Sequence, residues 1–137
     1  MLPTPARRLR PPISFRPALM HVIDHATLPR LHEVGRRRFA AASRQLGSGF
    51  ELWIETLDVN ARADLEPQHS DRVVLVLAGY GNLHLESGPQ RFHAPCSLIL
   101  PSGAECQLVN IGAEPMEYVM AFASPPLAPS AQPMPDR

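Results

Sequence analysis

Residues 73–77, Val-Val-Leu-Val-Leu, are apolar without a break and run directly into Ala78-Gly79-Tyr80-Gly81. A run this short, rich in branched side chains and bounded by Asp71 and a glycine turn, has the length of a strand rather than a helix. A strand apolar on both faces is expected to be covered on both, as in the wall of a sandwich or barrel. Farther along, residues 97–100 lead into Pro101-Ser102-Gly103, a second strand closed by a proline–glycine turn. Two such strand-and-turn units commit the surrounding chain to β structure.

The neighbouring segments agree. Residues 50–59 alternate, with Phe50, Leu52 and Ile54 on one face and Glu51, Trp53, Glu55 and Leu57 on the other. Residues 82–86, 90–93, 105–109 and 116–123 read as further strands, broken at Ser87-Gly88-Pro89 and Ile111-Gly112, and Gly47-Ser48-Gly49 marks an earlier turn. Nearer the N-terminus, His21-Val22-Ile23 is expected to form an edge strand. Residues 27–33 are expected to make one helical turn, capped by Thr27 with Pro29 early in the turn. Arg36-Arg37-Arg38-Phe39 leads into Ala40-Ala41-Ala42 as strand or helix, and its arginines read as a solvated edge that discourages pairing with other chains. Residues 60–71 read as a polar loop. Short strands at regular intervals with Gly and Pro turns indicate an all-β sandwich or barrel.

A chain of 137 residues fits one domain with a single core. Its 13 basic and 13 acidic side chains cancel, which argues against a nucleic-acid-binding module. No apolar run is long enough to span a membrane. Cys96 and Cys106 make no disulfide framework, so reduced thiols in a cytoplasmic setting are the default, with a Cys96–Cys106 bridge as the alternative. Prolines crowd both ends and cannot donate to a ladder. Residues 1–19 and 125–137 therefore read as extended or mobile tails around a domain at 20–124. Arg7, Arg8, Arg10 and Arg16 resemble a targeting peptide in composition, without the apolar centre of a secretory signal. The slightly favoured expectation is that translation starts at Met20.

Gly79, Pro101, Gly103 and Asn110 stand at the spacings of the two cupin motifs, and over residues 49–122 the chain resembles the cupin superfamily. The resemblance implies a double-stranded β-helix, the jelly-roll form of a β-sandwich or barrel. Cupins ordinarily hold a divalent metal through motif histidines and a glutamate. Here Arg72 stands at the glutamate position, Cys106 at the motif histidine and Pro95 at a motif glycine. His69 lies beside the place of the paired histidines, whose partner position falls among Glu66, Pro67 and Gln68. A narrower likeness, from Gly49-Phe50 through Gly79-Tyr80-Gly81 to Phe122 and Pro125-Pro126-Leu127, is similar to ectoine synthase, a cupin that closes a ring by losing water. The metal-binding glutamate, tyrosine and histidine of that family fall on Arg72, Leu98 and Cys106.

The chemistry of these residues sets the expectations. Imidazole and carboxylate donors at one end of a barrel bind iron, manganese, nickel or zinc. A guanidinium there repels a metal and instead clamps a carboxylate or phosphate through paired hydrogen bonds. If Arg72 points inward, so do Val74 and Val76, because side chains alternate along a strand. The pocket is then an apolar cup with one cationic spot; the alternative is an exposed Arg72 paired with Asp71 or Glu66. Cys106 has three readings: a buried small hydrophobe, a metal ligand beside His69, or a thiol activated by Arg72. His84 and His93 read as structural or surface residues, and Trp53 and Tyr118 as core.

The expected function is small-molecule binding by a cyclase, isomerase or lyase acting on a small carboxylated metabolite without the usual metal centre. His69, Arg72 and Cys106 are its candidate catalytic residues. The expected cofactor is none, or a weakly bound divalent metal on His69 and Cys106. Two other readings stay open: an oxygenase-like metallocupin using that shifted His/Cys set, and a ligand sensor without chemistry. The expected partners are a small acidic molecule and a second copy of the chain, since Val73, Leu75 and Leu77 form an outer apolar row that a homodimer would cover. Neither nucleic acid nor membrane is expected.

Overall fold

Alternating inward and outward side chains, interrupted by glycine turns, divide the chain into strands of two antiparallel sheets in a computed structural model that describes residues 20–127. In chain order the strands are β1 (Leu31–Glu33), β2 (Arg36–Ala42), β3 (Phe50–Leu57), β4 (Arg62–Leu65), β5 (Arg72–Ala78), β6 (Tyr80–Leu85), β7 (Gly88–His93), β8 (Cys96–Leu100), β9 (Cys106–Asn110) and β10 (Met116–Ala123). One sheet has six strands in the order β1-β2-β3-β10-β5-β8, and the other has four in the order β4-β9-β6-β7. From β4 onward the chain passes back and forth between the sheets, winding the jelly roll expected from the sequence. The inner faces meet in a core that includes Leu57, Val74, Val76 and Tyr118 from the larger sheet and Leu65, Leu83 and Leu108 from the smaller.

The passage from β5 to β6 shows why the Gly-Tyr-Gly turn is needed. Gly79 has φ 117°, and a side chain there would bring its Cβ 2.9 Å from Met116. At Gly81 an added Cβ would lie 2.6 Å from the Val109 carbonyl, so only glycine lets the chain change sheets this tightly. Asn110 supports the same region from below. Its side-chain nitrogen donates to the carbonyls of Leu57, Asp58 and Glu114, and its Oδ1 accepts from the Gly112 amide. The motif asparagine is thus a fully buried structural tie.

Several local expectations are corrected. His21-Val22-Ile23 is not a strand, and residues 20–24 form irregular chain. The helical turn lies earlier, at His25–Thr27, and its cap is Asp24, whose side chain accepts from the Ala26 amide. Pro29 disfavours helical geometry at Leu28, which is extended with ψ 143°, and the chain continues into β1. Residues 60–71 are not all loop, since β4 pairs with β9 through Ala63↔Leu108 and Leu65↔Cys106. Those alternate apolar side chains had been masked by the polar residues between them. The Arg36-Arg37-Arg38 segment is strand, and it lies one strand inside the sheet edge. The readings for residues 1–19, the start at Met20 and the tail from 128 onward lie outside the described residues. Within the expected C-terminal tail, the Pro125 carbonyl accepts from Arg44.

Among the described residues, 73–77 are covered on one side only. Val74 and Val76 are buried, whereas Leu75, Leu77 and Ile99 are 43%, 59% and 68% exposed. The outward row extends across the sheet, because Leu75 sits opposite Val119, Val119 opposite Ile54, and Ile54 opposite Phe39. Even so, β5 has ladder partners on both sides, β10 and β8. Its amides are expected to exchange with solvent far more slowly than those of the edge strand β1. Comparable exchange rates in hydrogen–deuterium measurements would contradict this placement.

Candidate ligand-binding site

The register of three adjacent strands brings the central side chains of the site together. Arg38 of β2 lies opposite Glu55 of β3, and Glu55 lies opposite Tyr118 of β10. Directly opposed side chains on one face of a sheet start only about 5 Å apart. Arg36, two residues before Arg38, shares its inward face. Glu55 is 1% exposed, and its Oε1 accepts from Arg36 Nε at 2.9 Å and from the Tyr118 hydroxyl at 2.7 Å. Arg36 Nη2 approaches the same oxygen at 2.9 Å. The other carboxylate oxygen, Oε2, is buried with no hydrogen-bond partner among the described residues, and Arg38 Nη1 stands 3.9 Å from it.

The electrostatics follow from this packing. Burial works against the charge of Arg36, but the adjacent Glu55 outweighs it and holds the guanidinium pKa above its ordinary value. Burial, reinforced by Glu55, pushes the Tyr118 hydroxyl well above the usual phenol range. Tyr118 is therefore a neutral, permanent donor to the carboxylate.

Arg72, at the start of β5, projects to the same interior. It is 4% exposed, and Val74 and Val76 follow it on the buried face. Its Nη2 donates to the Glu66 carbonyl at 2.6 Å, and Nη1 lies 3.8 Å from Met120 Sδ. Its Nε is buried without a partner. Burial lowers the Arg72 pKa, with the Cys106 thiol and Glu55 opposing the shift; an arginine so perturbed still carries its charge at neutral pH. Asp71 does not pair with it, since its carboxylate accepts from the Ser102 amide.

These groups line a cavity of about 550 Å³ between the larger sheet and β4. Its buried polar groups are Arg36, Glu55 and Arg72, while exposed acids and Arg62 ring the opening. Trp53 forms part of the wall, with the Arg38 guanidinium 5.0 Å from its ring centroid. A second, more apolar cavity of about 500 Å³, lined partly by Leu28, Leu31 and Leu46, shares Trp53 and Glu51 with the first.

Of the residues singled out in the sequence, Arg72 lines the main cavity and His69 and Cys106 do not. His69 is exposed in the segment between β4 and β5. Cys106 is buried beside Leu65, its opposite partner in β4. Burial raises its thiol pKa, and Arg72 only partly offsets this, so the thiol remains protonated through the ordinary cysteine range. Cys96 and Cys106 are both free, without the alternative bridge. His84 and His93 are exposed, Tyr118 is core as read, and Trp53 packs against the core while also forming a wall of the cavity. The arginine triplet was read as a solvated edge, and the structure corrects this: only Arg37 points outward, pairing with Asp58 at 2.9 Å.

Sequence reasoning missed Arg36, Arg38 and Glu55. A signal existed, because the alternation in residues 50–59 puts Glu55 on the same face as Leu57. A charge on a core face demands a buried partner, and an arginine pair at i, i+2 supplies one. The donor set at the cupin motif positions does not fit a divalent cation. A guanidinium occupies the centre, the thiol is held neutral, and the described residues contain no cluster of three or more His, Cys, Asp or Glu side chains suited to a metal.

No protein-family model and no curated protein matches the chain. Solved structures do. The polyketide cyclase RemF from Streptomyces resistomycificus matches with TM-score 0.65 at 12% identity over 78% of this chain and 81% of its own. Ectoine synthase from P. lautus matches with TM-score 0.67 at 14% identity, covering 77% and 79% respectively. A sugar phosphate isomerase of the cupin superfamily from Silicibacter pomeroyi matches with TM-score 0.63 at 20% identity, covering 77% of each chain. The fold is that of the cupin superfamily.

The buried network generates a ranking of stabilities. Arg36→Met strands the Glu55 charge in the interior and is expected to cost about 3 kcal/mol. Tyr118→Phe removes one hydrogen bond to a charged group and is expected to cost about 1.5 kcal/mol. Urea denaturation of both variants checks the order, and a larger loss in Tyr118→Phe would show that the ion pair is not the dominant contact.

Proposed function

We propose that this cupin-fold protein binds a small carboxylated metabolite in the cavity between its sheets, with Arg72 and Arg38 receiving the carboxylate. The supporting observation is Arg72 itself: a guanidinium almost wholly removed from water, facing a cavity, with no carboxylate in ion-pair contact among the described residues. An isolated buried charge is costly, and an anionic ligand would balance it. Charge-assisted bonds from a planar guanidinium suit a carboxylate in particular. Catalysis as a cyclase, isomerase or lyase is the favoured extension. It draws support from the cyclase, synthase and isomerase among the structural neighbours, none of which shares enough sequence to transfer its substrate.

Binding is tested by thermal shift and calorimetry with succinate and other small acids, because a ligand specific for the native state raises apparent stability. Arg72→Ala is expected to weaken binding by at least about tenfold. Arg37→Ala, on the outer face, is expected to leave it unchanged. Acids that bind equally well to Arg72→Ala would remove the basis of the reading.

We further propose that two copies associate through the outward apolar row of the larger sheet, around Leu75, Leu77 and Ile99. The contact would be two-fold and isologous, the commonest arrangement of soluble homo-oligomers. Sedimentation at micromolar concentration is expected to give twice the 15.1 kDa chain mass, and Leu77→Glu is expected to return a monomer. A wild-type monomer would overturn this proposal.

A further inference from the structure

The cavity presents an acceptor and donors that do not satisfy one another. Arg36 and Tyr118 engage Glu55 Oε1, whereas Oε2 has no hydrogen-bond partner. Arg38 Nη1, at 3.9 Å, is too far from Oε2 to bond with it, and Arg38 Nε is also buried and unpartnered. A ligand carrying only a carboxylate would satisfy the guanidiniums but turn a second negative oxygen toward Oε2. A ligand carrying a neutral hydrogen-bond donor beside its carboxylate would satisfy both sides.

We infer that the site selects a hydroxy acid, with the carboxylate on Arg72 and Arg38 and the adjacent hydroxyl donating to Glu55 Oε2. The inference rests on the anion-binding reading above and specifies the chemical class within it. An amino acid offers a donor too, but its ammonium meets an unfavourable field. The groups facing Glu55 are Arg36 and Arg38 from β2, the neutral Tyr118 hydroxyl from β10 and Arg72 from β5. These three guanidiniums outnumber Glu55 and the half-exposed Glu33 that pairs with Arg36 and Arg38, so an added cation is disfavoured where a neutral hydroxyl is not.

Calorimetry with two matched sets tests this: propanoate, lactate and alanine, then succinate, malate and aspartate. In wild-type protein each hydroxy acid is expected to bind roughly tenfold more tightly than its parent acid, the value of one hydrogen bond to a charged group, and more tightly than the amino acid. In Glu55→Gln the parent acid is expected to bind at least as well as before, because a negative charge has gone, while the hydroxyl preference falls to within about twofold. A merely structural role for Glu55 would weaken all ligands alike. Equal affinity for parent and hydroxy acids, tighter binding of the amino acids, or a preference that survives Glu55→Gln would overturn the inference. If Glu55→Gln does not fold, the wild-type ranking decides. Acids that depend on Arg72 but ignore the hydroxyl refute only this inference, whereas no binding by any acid refutes the anion-binding reading as well.

Discussion

A carboxylate inside a β-sandwich must be matched there, and the pairing of Glu55 with Arg36 and Tyr118 is the constraint on which the larger sheet depends. Such a buried pair adds little net stability over apolar side chains of the same volume. Its effect is on specificity of register. If β2 slipped by one residue against β3, Arg36 and Arg38 would turn to the outer face and Phe39 would turn inward. Arg37 would turn inward in their place, leaving Glu55 one guanidinium on its face instead of the two that share it now. The observed alignment of β2, β3 and β10 is the one that gives the buried carboxylate two arginines and the Tyr118 hydroxyl on its own face.

The same requirement gives the interior its chemical character. A cup lined by imidazoles and carboxylates attracts a metal. Here the buried cations Arg36 and Arg72, with the half-buried Arg38, outnumber the buried carboxylate, Glu55. In a cavity of low dielectric such an imbalance acts more strongly than it would in water. Met120 and the Glu66 carbonyl position Arg72 without neutralising it, so its charge remains available. The acids at the opening, including Glu33 and Glu66, are solvated and correspondingly weaker in effect. At 12–20% identity the cyclase, synthase and isomerase structures share this scaffold, and a shared fold does not carry a shared chemistry.

The outer face follows a simpler logic. Apolar residues alternate with inward ones along β5 because the strand is apolar throughout, and the sheet's register aligns them with Val119, Ile54 and Phe39. The sequence pattern correctly marks β5 as a wall with two apolar faces. It cannot show that none of the described residues covers the outer one.

Much of the fold was legible in the sequence because its signals are local. The unbroken apolar run at 73–77, the alternation at 50–57 and the turns at Gly79, Gly88 and Gly103 each report the conformation of a few consecutive residues. The inward position of Arg72 could be stated as a condition, since Val74 and Val76 had to share its face. The edge role given to the arginine triplet and the loop at 60–71 failed for one reason: each depends on what lies across a ladder or a sheet. Glu55 meets Arg36 from 19 positions away and Tyr118 from 63 positions away. Periodicity determined which residues turn inward; cross-strand pairing alone decided which inward residues meet, because a ladder brings together side chains that are far apart along the chain.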